Sequence, residues 1–98
     1  MDRTNRPLTL PEVIGILGEF TYYPNAIIHS AEPGYEVRGL CDGDKREIFI
    51  SRGLYLPQRR ETIVHELVHA REFLEYGRSN EQRVRQITKE TMERYFKS

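Results

Sequence analysis

At 98 residues and 11.6 kDa the chain has room for one hydrophobic core, and 1–98 reads as a single domain. Fifteen Lys and Arg balance fifteen Asp and Glu, which argues against a specific nucleic-acid binder and against a polybasic membrane attachment. A single cysteine, Cys41, excludes an internal disulfide and points to a reducing cytoplasm, and no apolar run approaches the ~18 residues of a membrane span.

Residues 1–7 read as a loose polar tail, and Pro11 and Glu12 break the first apolar stretch, against a signal peptide. Thr9-Leu10-Pro11-Glu12 is a capping box with proline in the first turn. Val13, Ile16, Leu17 and Phe20 follow at helical spacing, so a helix is expected over 10–20. Pro24-Asn25 then interrupts the chain. A first strand is expected over 26–30, a second over 35–41 and a third over 47–51. Asp42-Gly43-Asp44 marks a tight hairpin between the last two, and Gly53 and Pro57 end the third. Helical patterning resumes over 58–76, with Gly77 as its stop. Ser79 to Gln82 forms a second capping box, opening a last helix over 80–96. The expected fold is α+β: a small, mostly antiparallel three-stranded sheet with three helices, in the order α-β-β-β-α-α.

The chemistry lies in His65-Glu66-Leu67-Val68-His69. On a helix the two histidines stand one turn apart on one face, where their imidazoles can close on a single metal ion. Glu66 lies about 100° round the helix, beside the metal rather than on it, placed to take a proton from a water bound to the metal. Ile63, Leu67, Ala70 and Leu74 cluster on the opposite side as a core stripe, while Thr62, Glu72 and Tyr76 share the histidine face. Two surface histidines paired with Glu61 or Glu72 would satisfy the same spacing without any metal.

A catalytic zinc takes three protein ligands and keeps one position open. Glu72 lies along the same ridge as the histidines, and three groups on one ridge cannot surround an ion. After the turn at Gly77 three acids remain: Glu81, Glu90 and Glu93. Val84, Thr88, Met92 and Tyr95 share the face of Glu81, whereas Glu90 and Glu93 fall about 120–180° away, so Glu81 is the favoured third ligand. An exposed first-turn acid favoured by the helix dipole is the alternative for Glu81, and His29 is an alternative ligand. Tyr22, Tyr23, Tyr55, Tyr76, His29 and Arg85 are candidate donors to a developing oxyanion. Cys41 is either a thiolate that blocks the metal or a free structural cysteine.

HExxH, a glycine turn, and Asn80-Glu81 opening a further helix together resemble the gluzincin metallopeptidases, and the length and element order are similar to the minigluzincins. The resemblance implies one zinc ion per chain held by His65, His69 and Glu81, with Glu66 as general base in peptide hydrolysis. It also implies an extended peptide or protein substrate aligned along an edge strand, here 47–51, and latency through a terminal segment in the cleft, here the tail after Tyr95. SprT-like and phage-repressor-cleaving HExxH proteases are a related reading. Two positions depart from the family. Arg85 stands where many gluzincins carry an acid that supports the first histidine, so that support must come from elsewhere. Arg71 stands where an apolar residue is usual. A zinc-binding regulatory or interaction module without peptidase activity is the reading from another class.

Overall fold

The computed structural model describes residues 6–30, 32–34 and 36–96. Six elements follow in the expected order: α1 (Leu10–Glu19), β1 (Thr21–Ala26), β2 (Gly39–Asp42), β3 (Glu47–Ser51), α2 (Leu56–Tyr76) and α3 (Glu81–Phe96). The fold class is α+β. No helix among the described residues is long and apolar enough to cross a membrane.

The sheet is mixed rather than mostly antiparallel. Its order is β1-β3-β2, with β1 parallel and β2 antiparallel to β3. Strand β3 is therefore central, and the expectation that 47–51 forms an edge is corrected: the edges are β1 and β2. The first strand also lies earlier than expected, at 21–26 instead of 26–30. Pro24 is tolerated inside it because an edge strand can leave one N–H side unpaired, and the register slips between Tyr23 and Ala26. The second strand is confined to 39–42. Tyr35, at the start of its expected span, lies outside the described residues.

The β2–β3 turn is longer than a two-residue hairpin. Asp42 Oδ1 accepts from the N–H groups of Asp44 and Lys45, and Arg46 takes the left-handed conformation at φ 56°. Gly43 serves packing rather than turn geometry: a Cβ there would stand 2.4 Å from the Phe73 ring.

Helix α1 starts as its sequence dictates. Thr9 Oγ1 accepts from Glu12 N, and the Glu12 carboxylate accepts from Thr9 N. Its inner face buries Ile16 and leads to buried Phe20, whereas Leu17, expected in that stripe, is exposed with Leu10 and Ile14. Residues 6 and 7 are not loose. Arg71 on α2 donates to the carbonyls of Arg6 and Pro7, Leu8 is buried, and Leu8 N donates to buried Thr91 Oγ1. Residues 1–5 of the expected tail lie outside the described residues.

Helix α2 begins two residues before its expected start, because Pro57 sits in its first turn instead of ending the strand before it. Gly77 closes it at φ 72°, donating to Phe73 O. This helix is central. It packs on β2 and β3, and α1 and α3 pack on it. Hence Val64, Leu67, Val68 and Ala70 are all buried, a wider zone than the predicted stripe, while Leu74 at the far end is exposed. Ile48 and Ile50 reach the helix from the sheet's inner face, each fully buried and each contributing about 1.5–3 kcal/mol of hydrophobic stabilisation. On α3 the buried side is Val84, Ile87, Thr88 and Thr91, and Tyr95, expected to share it, is exposed.

Candidate metal centre

His65 and His69 emerge from one face of α2 with ring centroids 4.8 Å apart and planes at 72°. Glu81, the first residue of α3, meets both. Its Oε1 lies 3.0 Å from His65 Nε2 and its Oε2 2.9 Å from His69 Nε2. One donor atom from each of the three falls within 4.8 Å of the others. Two imidazole nitrogens and a carboxylate with a side open to a cleft fit a zinc site of three protein ligands. Tetrahedral bonds of about 2.0–2.1 Å hold ligand atoms roughly 3.3 Å apart, so a group that spans up to 4.8 Å must draw together to close on an ion. Glu90 is half-buried, accepts from Gln86 and stands outside the group, as do exposed Glu93 and His29.

The environment favours the ligating forms. Burial lowers the pKa of His69, outweighing the pull of Glu81 in the other direction, and so keeps the imidazole neutral. His69 Nδ1 lies 2.5 Å from Ser79 Oγ, and with Nε2 given to a metal the ring proton would sit on Nδ1 and be donated to that hydroxyl. The expected capping role of Ser79 falls to Asn80, whose Oδ1 accepts from Arg83 N, and the serine hydroxyl is left for the histidine.

Glu66 is 6% exposed. Burial, reinforced by the nearby charge of Glu81, pushes its carboxyl up to about 8. It sits against β2: a Cβ on Gly39 would lie 2.8 Å from Glu66 Oε2 and 2.7 Å from Thr62 Cγ2. Glycine is thus what lets this edge strand approach the HExxH turn. Cys41, two residues along, is pushed up to about 12 by burial and by the charges of Glu66 and Asp42. It remains a neutral thiol and stands outside the metal-ligating group.

The α2–α3 turn is held by a carboxylate whose role its sequence position concealed. Glu72 lies on the histidine side of α2 but is only 2% exposed. It accepts from Asn80 N at 2.9 Å and from Arg83 Nε at 2.5 Å, spanning the residues on either side of Glu81. It pairs with α3 and with neither histidine, as Glu81 does the pairing there. Tyr76, also assigned to the histidine face, lies beneath Arg83 instead.

Both departures from the gluzincin pattern have a place. Arg71 points away from the cleft and binds Glu12 Oε1 at 2.9 Å, joining α2 to the α1 capping box. Arg85 turns its Nε to Glu81 Oε1 at 3.4 Å and is largely exposed.

The cleft encloses about 800 Å³ between the β2 side (Arg38, Gly39, Leu40 and Cys41) and the helices carrying Glu66 and Glu81. None of Tyr22, Tyr23, Tyr55, Tyr76 and His29 borders it. Among the described residues its cationic donors are Arg38 and Arg85, from opposite walls. Of the tail after Tyr95, expected to lie in the cleft, Phe96 packs by Arg60 at 5.3 Å, and Lys97 and Ser98 lie outside the described residues. Sequence reasoning missed Ser79, Glu72 and Gly39. Gly39 alone left a signal, since a glycine within a strand marks close backbone approach. Compared with known proteins, the chain matches no family model, no curated protein and no solved structure.

Proposed function

We propose that the chain is a zinc-dependent metallopeptidase of the gluzincin type, similar to the minigluzincins, working as a single domain. The observation that carries the reading is the convergence of His65, His69 and Glu81 from two helices with Glu66 buried one residue away. Zinc held there supplies Lewis acidity toward a peptide carbonyl and toward water. His65, His69 and Glu81 hold the ion, and Ser79 and the Glu72 pairs keep His69 and Glu81 oriented. A dication beside Glu66 favours its ionised form, offsetting the burial that raises it. Glu66 then accepts the proton of the attacking water and delivers it to the leaving amine. The substrate lies extended along β2, the edge strand that borders the cleft, rather than along central β3.

The test begins with zinc per chain, by elemental analysis, on protein purified without added metal. A value near one is expected, falling to near zero in His65→Ala. Zinc-loaded protein is then assayed on fluorescently labelled casein. Glu66→Gln should retain zinc and lose about 10²–10⁴ in rate. Absence of zinc and of zinc uptake overturns the reading, and hydrolysis that survives Glu66→Gln overturns the mechanism.

A zinc-holding interaction module is the second reading. It is favoured by Arg85, whose contact with Glu81 places a cation where gluzincins carry a supporting acid. A module of that kind keeps its partner when Glu66 is replaced.

A further inference from the structure

Beyond the cleft, a second groove of about 390 Å³ runs between α2 and α3. Glu61, His65 and Arg85 border both spaces, so the groove opens beside the ligand His65. Its α3 wall is formed by Arg85, Thr88, Lys89 and Met92. Spacings of three and four residues place these on one helix face.

Three of the four are donors with little to bind. The side chain of Arg85 is 74% exposed, and its ion pair is the 3.4 Å contact with Glu81. Among the described residues no carboxylate pairs with Lys89. Thr88 is 5% exposed, and its Oγ1 is buried without a hydrogen-bond partner among the described residues. Buried hydroxyls are rarely left so, and a helical threonine has two accessible χ1 rotamers through which to reach a new acceptor. Met92 supplies an apolar surface against which a side-chain stem can lie. The acids of the groove are Glu61, exposed on the α2 rim, and Glu93, on the α3 wall itself, one turn past Lys89 and two turns, about 12 Å, past Arg85. At the end next to the metal centre, Arg85, which also contacts Glu81, and Thr88 stand across from Glu61, and Lys89 lies between Arg85 and Glu93.

We infer that this groove is the subsite for a substrate residue flanking the scissile bond, and that its α3 wall selects an acidic side chain, aspartate or glutamate. The inference rests on the metallopeptidase reading, because that reading places the scissile bond at the groove's mouth. Arg85 and Lys89 hold the carboxylate, Thr88 donates to it, and Met92 packs on the methylenes.

The test is a binding measurement that needs no turnover. Two series of peptide hydroxamates, extended to either side of the chelating group, carry Glu, Gln, Leu or Lys at the first position. Their affinities for zinc-loaded protein are measured by calorimetry, with zinc content determined on the same samples. In one series Glu should bind roughly tenfold more tightly than isosteric Gln. That gap should close in Arg85→Gln and invert toward Lys in Lys89→Glu, which lies outside contact with the ligands. Tightest binding of Leu or Lys by the unmodified protein, or a Glu preference that survives both substitutions, overturns the subsite. Zinc-loaded protein that binds none of the hydroxamates overturns the metallopeptidase reading, and the subsite with it.

Discussion

Gly39 and Ser79 show how single atoms set the candidate centre. At Gly39 any side chain begins within 2.7–3.0 Å of Thr62 and Glu66. Gly39→Ala must therefore push β2 outward or displace the Glu66 carboxylate, at a cost of about 1–3 kcal/mol. Urea denaturation should show that loss, with hydrolysis falling further than zinc content. Ser79 serves a proposed ligand rather than the fold. Its hydroxyl holds His69 Nδ1, and such partners are worth about 10–100-fold in metal affinity. Ser79→Ala should weaken zinc by that factor, read by competition with a chromophoric chelator, while leaving the melting temperature of the metal-free protein nearly unchanged. Equal zinc affinity would show that the hydrogen bond does not orient the ligand. The proposed ligands were legible because helix packing alone does not require two histidines four residues apart, a glutamate beside the first and an acid just past the helix break. Ser79 was not, because a serine before a helix has a commoner use as its cap.

At the scale of elements, two carboxylates join helices that sequence periodicity treats separately. Glu72 ties α2 to the start of α3 through Asn80 N and Arg83. Glu72→Ala removes a buried acceptor from both groups, so a stability loss of about 2–4 kcal/mol is expected. Zinc affinity should fall as well, since Glu81 lies between the two contacts. Glu12 joins α1 to α2 through Arg71. Burial raises its pKa, but the Thr9 N–H and the Arg71 guanidinium outweigh it, so the carboxyl ends below its ordinary value of 4.5. The unfolded chain therefore takes up this proton first as pH falls. The stabilisation is present above pH 4.5 and disappears as pH drops through the lower folded value. Glu12→Gln preserves an acceptor for Thr9 while removing the charge. It should cost about 1 kcal/mol at pH 7 and progressively less as pH falls below 4.5, by urea denaturation at each pH. The helices were readable from caps, glycine and apolar spacing. The strands were less so, because β1 contains a proline that only its edge position permits, and a parallel β1–β3 pairing has no local signature. Central β3 alternates fully buried with half-buried residues, and it begins and ends where that alternation places it.

For the whole molecule, a metal at the proposed centre would be linked to stability through α2. This helix is both the middle of the core and the carrier of two proposed ligands, whereas α3 packs on α2 and brings the third. Zinc would thus bridge the last helix to the centre of the domain, beside the contacts of Val84, Ile87 and Thr91. The unfolded chain offers no such convergence, so binding favours the folded state by RT ln(1 + [Zn]/Kd). At free zinc a thousandfold above Kd this is about 4 kcal/mol, on the order of 20 °C in melting temperature for a domain of this size. Calorimetry with and without zinc should show that rise. His65→Ala should remove most of it, and Glu66→Gln should keep it, since Glu66 stands beside the ion rather than on it. Hydrogen exchange should slow most in the first turns of α3. A rise in melting temperature that survives the combined loss of His65 and His69 would place the metal elsewhere. A rise without slowed exchange in α3 would separate Glu81 from the site and leave the two histidines as its only support.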